Sequence, residues 1–265
     1  MRTLPLVALS LLPLPVVAQV PPPSEIVQAE LRPGWRTADG RHIAALHLRL
    51  APHWTTYWRS PGEAGVPPEF DWSGSRNLGS LRILWPRPEV FDFQGMETIG
   101  YRGEVVLPVE IMPLDPNRPV DLSAGIDLGL CNKICVPARV AVAAELPQTG
   151  APDGMISAAL AAAPLPAATA GLTGLHCEIE PLTDGLRVTA HMTLPPAKGQ
   201  ETVVMEPAPP VWVSDTRTER QGATLIATAT MVPPPGSDYR LDPAGLRLTI
   251  LSQDQAVEII GCPVD

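Results

Sequence analysis

Apolar and polar residues alternate with period two along much of the first half of the chain. From His42 to Leu50, the apolar Leu46, Leu48 and Leu50 alternate with His47 and Arg49, which predicts a strand with one buried face and sets His47 toward solvent. Ile26 to Leu31 reads as a strand before it. The aromatic and β-branched run Pro52 to Arg59 reads as one after it. Ser60 to Pro68 is a loop by its Pro and Gly content. Phe70-Asp71-Trp72 is a brief strand, and Leu81 to Trp85 and Glu104 to Ile111 are two more. Pro108 within the last suggests an edge or a bulge. Glu89 to Gly95 reads as a loop carrying two of the three phenylalanines. Val120 to Leu130 and Val136 to Leu146 are strands joined through Cys131-Asn132-Lys133-Ile134-Cys135. Strands at this spacing predict a β-sandwich.

Composition changes at Pro147. An Ala-rich stretch, Met155 to Ala163, predicts a short helix that stops before Pro164, inside a linker over residues 148–172. Strand-like runs resume at Gly185 to Leu194, Gln221 to Met231, Leu246 to Leu251 and Ala256 to Ile260, marking a second β-domain over residues 173–265. The 33 prolines and 21 glycines cut the chain into short runs, and an all-β fold follows. Five of the six tryptophans fall in the first unit, so the two halves are not a repeat.

Residues 1–18 read as a signal peptide. Arg2 precedes an apolar run from Leu4 to Val17, and Val16-Val17-Ala18 supplies small residues for cleavage. Pro5, Pro13 and Pro15 break that run, which is shorter than the roughly 20 residues a membrane span needs. No later stretch suits a bilayer, so no stable membrane span is expected after cleavage. A net charge of −9 leaves no basic surface for nucleic acid. Export to an oxidising compartment is where four cysteines pair.

On the chain-entropy model, a bridge closing the five-residue loop Cys131 to Cys135 restrains the unfolded chain by only about 2 kcal/mol, while Cys177 to Cys262 gives about 4.6 kcal/mol. The long bridge reads as a staple, and the short one as a pair that opens and closes. Thiol–disulfide exchange needs two neighbouring thiols, one attacking and one resolving. Lys133 is placed either to favour a thiolate, as is Arg139 just beyond the loop, or as a solvated loop charge.

The run Phe93 to Val109 (FQGMETIGYRGEVVLPV), with Leu128-Gly129-Leu130-Cys131 and Cys135-Val136-Pro137, resembles the periplasmic N-terminal domain of DsbD, and most of all its ScsB branch. The resemblance covers about Trp35 to Leu146. It implies an immunoglobulin-like sandwich over residues 19–147, in the periplasm, whose Cys131 and Cys135 pass electrons from a membrane-embedded thiol reductant of the DsbD/CcdA type to periplasmic thioredoxin-like proteins. By the same analogy Cys135 attacks, Cys131 resolves, and a cap formed by Asp92, Phe93 and Gln94 shields the pair; a plain core aromatic is the other reading of Phe93. This chain departs from the pattern in having three residues between its cysteines. It also lacks a membrane-spanning or thioredoxin-like segment, so a separate protein is expected to deliver the electrons. The second β-domain resembles the extra domain of the ScsB branch. No cofactor is expected.

Two other readings compete. In one, both bridges are structural and Trp54, Trp58 and Trp72 form a binding surface. In the other, Cys131 and Cys135, with Met96 or His53, take Cu(I), which suits thiolate and thioether ligands. Motifs for hydrolysis or nucleotide binding are absent.

Overall fold

The computed structural model describes residues 23–62, 65–93 and 95–264, with only the backbone at Phe93; the expected signal peptide lies outside these residues. A helical turn, α1 (Pro23–Ile26), leads into ten strands: β1 (Val27–Arg36), β2 (His42–Leu50), β3 (Thr55–Tyr57), β4 (Glu69–Asp71), β5 (Leu78–Ile83), β6 (Glu89–Phe93), β7 (Met96–Arg102), β8 (Glu104–Pro113), β9 (Val120–Cys131) and β10 (Cys135–Leu146). They form two facing sheets, ordered β1-β2-β8-β5 and β10-β9-β3-β7-β6, with β4 also on β9. Along β9 every second residue from Val120 to Leu130 is buried; Ala124 to Leu130 join Leu46, Leu48, Val105 and Leu107 of the opposite sheet, and Val120 and Leu122 join Ala44, Val109 and Ile111. Each fully buried Leu or Ile contributes about 1.5–3 kcal/mol.

Past this sandwich come α2 (Gly154–Ala161) and nine strands: β11 (Leu165–Pro166), β12 (Gly174–Pro181), β13 (Leu186–Thr193), β14 (Thr202–Glu206), β15 (Trp212–Val213), β16 (Arg217–Gln221), β17 (Thr224–Val232), β18 (Arg247–Leu251) and β19 (Ala256–Ile260). Their two sheets run β11-β19-β18-β14 and β12-β13-β17-β15, with β16 also on β17. The Cys177–Cys262 bridge joins β12 to the chain just past β19, and so ties one sheet to the other.

Several expectations change. His47 does not face solvent: its side chain is fully buried, with Nδ1 2.9 Å from a Glu30 carboxylate oxygen and Nε2 2.6 Å from one of Glu104. Alternation separates the two faces of a strand but does not say whether the second face is covered. Here α2 lies on it, packing Ile156 against Ile43, Ala45 and Val106. Asp153 caps that helix by accepting from the Met155 and Ile156 amides and pairs with Arg32. Within the expected Glu89 to Gly95 loop, Glu89–Phe93 is instead strand β6, one arm of a hairpin with β7. Only Thr55–Tyr57 of the run Pro52 to Arg59 is strand. Pro108 sits in β8, a strand paired on both sides. It is tolerated because its missing donor falls where β5 ends; Leu84 donates to the Pro108 carbonyl at 2.8 Å, one residue past the last β5 pair.

The two sandwiches share a packed junction. Val204, Leu251 and Ala256 of the second join the core of the first. Arg59 lies over the Trp58 ring at 4.1 Å and donates to Glu206 (2.8 and 2.9 Å) and Glu258 (3.0 Å). Arg87 donates to the Ser252 and Gln253 carbonyls. At this junction burial, and then the Asp215 charge, push the Glu97 carboxyl above its ordinary value. A raised carboxyl means the folded state holds the proton more tightly than the unfolded chain does. The linked stability is full in acid and is lost as pH rises through the folded value. Glu97→Gln is therefore expected to raise Tm at neutral pH and leave it unchanged below the ordinary glutamate range. Thermal unfolding at both pH values checks this, and an equal gain at both would contradict it.

Candidate functional site

β9 and β10 form an unbroken antiparallel ladder from Val120 opposite Leu146 to Cys131 opposite Cys135. The cysteines are its last rung, with Cα atoms 4.1 Å apart and the sulfurs bonded. Asn132, Lys133 and Ile134 make the turn, closed by a 3.0 Å bond from the Asn132 amide to the Ile134 carbonyl. The two cysteines differ in access. Cys131 is 1% exposed, whereas Cys135 is open to solvent.

What lies against the pair comes from β3. Thr55 and Thr56 hydroxyls donate to the Cys131 and Gly129 carbonyls, at 3.1 and 3.0 Å. The hydroxyl of the next residue, Tyr57, reaches 2.9 Å from the Cys131 sulfur and 3.6 Å from that of Cys135. Its ring crosses Gly129, where a Cβ would stand 2.9 Å from two ring carbons, so any larger residue there would displace Tyr57. Burial pushes the Tyr57 phenol up, which keeps it protonated as a donor. Nothing in the sequence analysis had singled out Tyr57. The readable trace was Gly129, an isolated glycine inside a strand and a mark of close approach.

The other candidates scatter. Lys133 is exposed in the turn, and Arg139 faces Asp127 at 3.6 Å. Asp92 is exposed at the end of β6, where it accepts from the Gly95 amide; Gln94 and the Phe93 side chain lie outside the described residues. Register places this hairpin tip, beside Met96, at one end of β7, whereas the row holding Cys131 and Thr55 meets β7 at its other end, Arg102. Among the described residues, the aromatic on the sulfurs is Tyr57. Trp54 and Trp58 are core residues and Trp72 is partly buried against Phe70, so these three do not form the surface that the competing binding-module reading would use. His53 sits in the turn before β3 with φ of 68°.

A buried sulfur under a hydroxyl is stabilised as a leaving thiolate when an outside thiolate attacks its exposed neighbour. Tyr57→Phe is expected to slow reduction of the Cys131–Cys135 bond by roughly tenfold, about 1.4 kcal/mol, near the low end for a hydrogen bond to a charged group. Stopped-flow reduction by dithiothreitol measures it, and an unchanged rate would remove Tyr57 from the chemistry.

Residues 19–147 match the family described as thiol:disulfide interchange protein DsbD, N-terminal. No curated protein sequence matches the chain significantly. Among solved structures, the chain is similar to the N-terminal periplasmic domain of ScsB from Proteus mirabilis, at 23% identity and a TM-score of 0.66, covering 90% of this chain and 92% of that one. That likeness shows a shared fold running through both sandwiches and the helix between them. The first sandwich, with the cysteine rung at the end of its longest hairpin, thus belongs to the DsbD N-terminal family.

Proposed function

We propose that this chain is a periplasmic thiol–disulfide exchange protein, carrying reducing equivalents from a membrane-embedded thiol reductant of the DsbD/CcdA type to periplasmic thioredoxin-like proteins. Residues 1–18 would direct export, residues 19–147 carry the chemistry, residues 148–172 link, and residues 173–265 form the second domain. The observation that carries the reading is a disulfide on the rim of a DsbD-type domain with one cysteine buried and one exposed. Among the described residues no helix is long and apolar enough to cross a membrane.

In the charging half, a donor thiolate attacks the Cys135 sulfur, the Cys131–Cys135 bond breaks, and Cys131 leaves as a thiolate beside Tyr57. The donor's second thiolate then attacks its own sulfur in the mixed disulfide and releases Cys135. Two electrons and two protons have entered, and the donor leaves oxidised. In the delivering half, Cys135 attacks a client disulfide and Cys131 attacks Cys135, which re-forms the internal bond and frees the client as a dithiol. Ile134, 49% exposed beside Cys135, and Val66, 61% exposed near Gly129, supply an apolar rim for the partner.

The reduction potential of Cys131–Cys135 tests this, by equilibration with glutathione buffers and counting free thiols by mass spectrometry. A value between roughly −120 and −270 mV is expected, the range of working exchange proteins. A value below about −300 mV, with both bridges reduced only on unfolding, would make the pair structural.

A further inference from the structure

The outer face of the second sandwich carries a cluster that disulfide exchange does not use. β12 and β13 pair antiparallel with His176 directly opposite His191. Glu178 lies two residues along β12 and shares their face, because Cys177 between them points into the core. The imidazole rings stack with centroids 4.4 Å apart and planes 3° from parallel. A Glu178 carboxylate oxygen stands 3.6 Å from Nε2 of His191, too far for a hydrogen bond. That Nε2 is itself buried and finds no hydrogen-bond partner among the described residues. One ligand atom from each of the three residues lies within 4.8 Å of the other two.

We propose that His176, Glu178 and His191 form a binding site for a divalent transition-metal ion of the Zn2+ and Cu2+ class. Zn2+ holds imidazole nitrogen and carboxylate oxygen at about 2.0–2.2 Å, so two tetrahedral co-ligands stand roughly 3.4 Å apart. The 3.6 Å gap between Glu178 and His191 is close to that spacing, and an ion between them would occupy the buried nitrogen that protein groups leave bare. Two imidazoles and one carboxylate suit borderline ions, whereas Ca2+ and Mg2+ favour all-oxygen shells. Neighbouring strands fix the three Cα positions, and rotation of the His176 ring closes the set. The fourth position is left to water, as in sites with three protein ligands. The site is independent of the Cys131–Cys135 pair.

The test uses the full exported chain with both disulfides formed, so that no thiolate competes for metal. Calorimetric titration with ZnCl2, and separately with CuCl2, is expected to show about one saturating equivalent, with MgCl2 giving none. His176→Ala and His191→Gln should each weaken Zn2+ binding by at least roughly tenfold, the scale already seen for outer-shell partners. His53→Ala should leave it unchanged. NMR of the imidazole resonances reports each ring separately, and Zn2+ should shift those of His176 and His191 and spare those of His42 and His47. Unchanged affinity in both cluster variants, or imidazole shifts confined to other histidines, would overturn the proposal. So would the lack of any saturable binding by the folded wild-type chain.

Discussion

Replacing Cys131 with serine is expected, under the proposed function, to turn a carrier into a trap. The variant keeps Cys135, the solvent-exposed cysteine, and removes the buried one that would resolve a mixed disulfide. A thioredoxin-like partner presented in its oxidised form should therefore remain bonded to Cys135, visible as a heavier species on a non-reducing gel and placed by peptide mapping. Turnover falls to background because delivery needs both thiols. Cys135→Ser has the opposite consequence. The remaining Cys131 lies 1% exposed beneath Tyr57, so it neither turns over nor traps. A trap formed by Cys135→Ser but not by Cys131→Ser would reverse the assignment of roles. Failure of both would remove the main support for a carrier.

Removing the other bridge is expected to act on stability, with little effect on the exchange chemistry itself. Cys177 and Cys262 are 85 residues apart in sequence and both nearly inaccessible, so their link restrains a long stretch of the unfolded chain. The chain-entropy model gives about 4.6 kcal/mol, and losses of native bridges commonly run about 2–5 kcal/mol. Whole domains are stable by only about 5–15 kcal/mol, so this is a large share. Cys177→Ala with Cys262→Ala should lower Tm by roughly 10 °C. Reducing Cys131–Cys135 alone removes at most about 2 kcal/mol on the same model. Val204, Leu251 and Ala256 pack into the first sandwich, so both halves should melt earlier in the double variant. Calorimetry of the two proteins decides it; equal midpoints would show that the long bridge is not a staple.

How far the sequence could be read depended on how completely a residue's surroundings are local. His42 to Leu50 and Ala256 to Ile260 were legible to the residue, since alternation and turn residues bound them on both sides. His47 was misjudged because the helix that packs on its face of the strand, against Ile43 and Ala45, arrives more than a hundred positions later in the chain. Glu89 to Phe93 was missed as a strand because it is short and Glu89 to Asp92 are largely exposed, with little burial contrast between its faces. The cysteine rung was visible from spacing alone, but Tyr57 was not, because β3 meets β9 only through tertiary pairing. His176 and His191 likewise become neighbours only through the register of β12 against β13.

The position of the cysteines on the last rung of a ladder also limits what the rest of the molecule can sense. The backbone pairings from Leu130 opposite Val136 down to Val120 opposite Leu146 do not run through the sulfurs, so opening the bond at the rim is expected to leave them in place. The second sandwich, held to the first by Arg59 and Arg87, is then expected to receive no displacement that would report whether the sulfurs are joined. Under the proposed function, a partner that distinguishes the charged carrier from the spent one would have to read the tip itself: the Asn132–Ile134 turn, the open Cys135 and the hydroxyl of Tyr57.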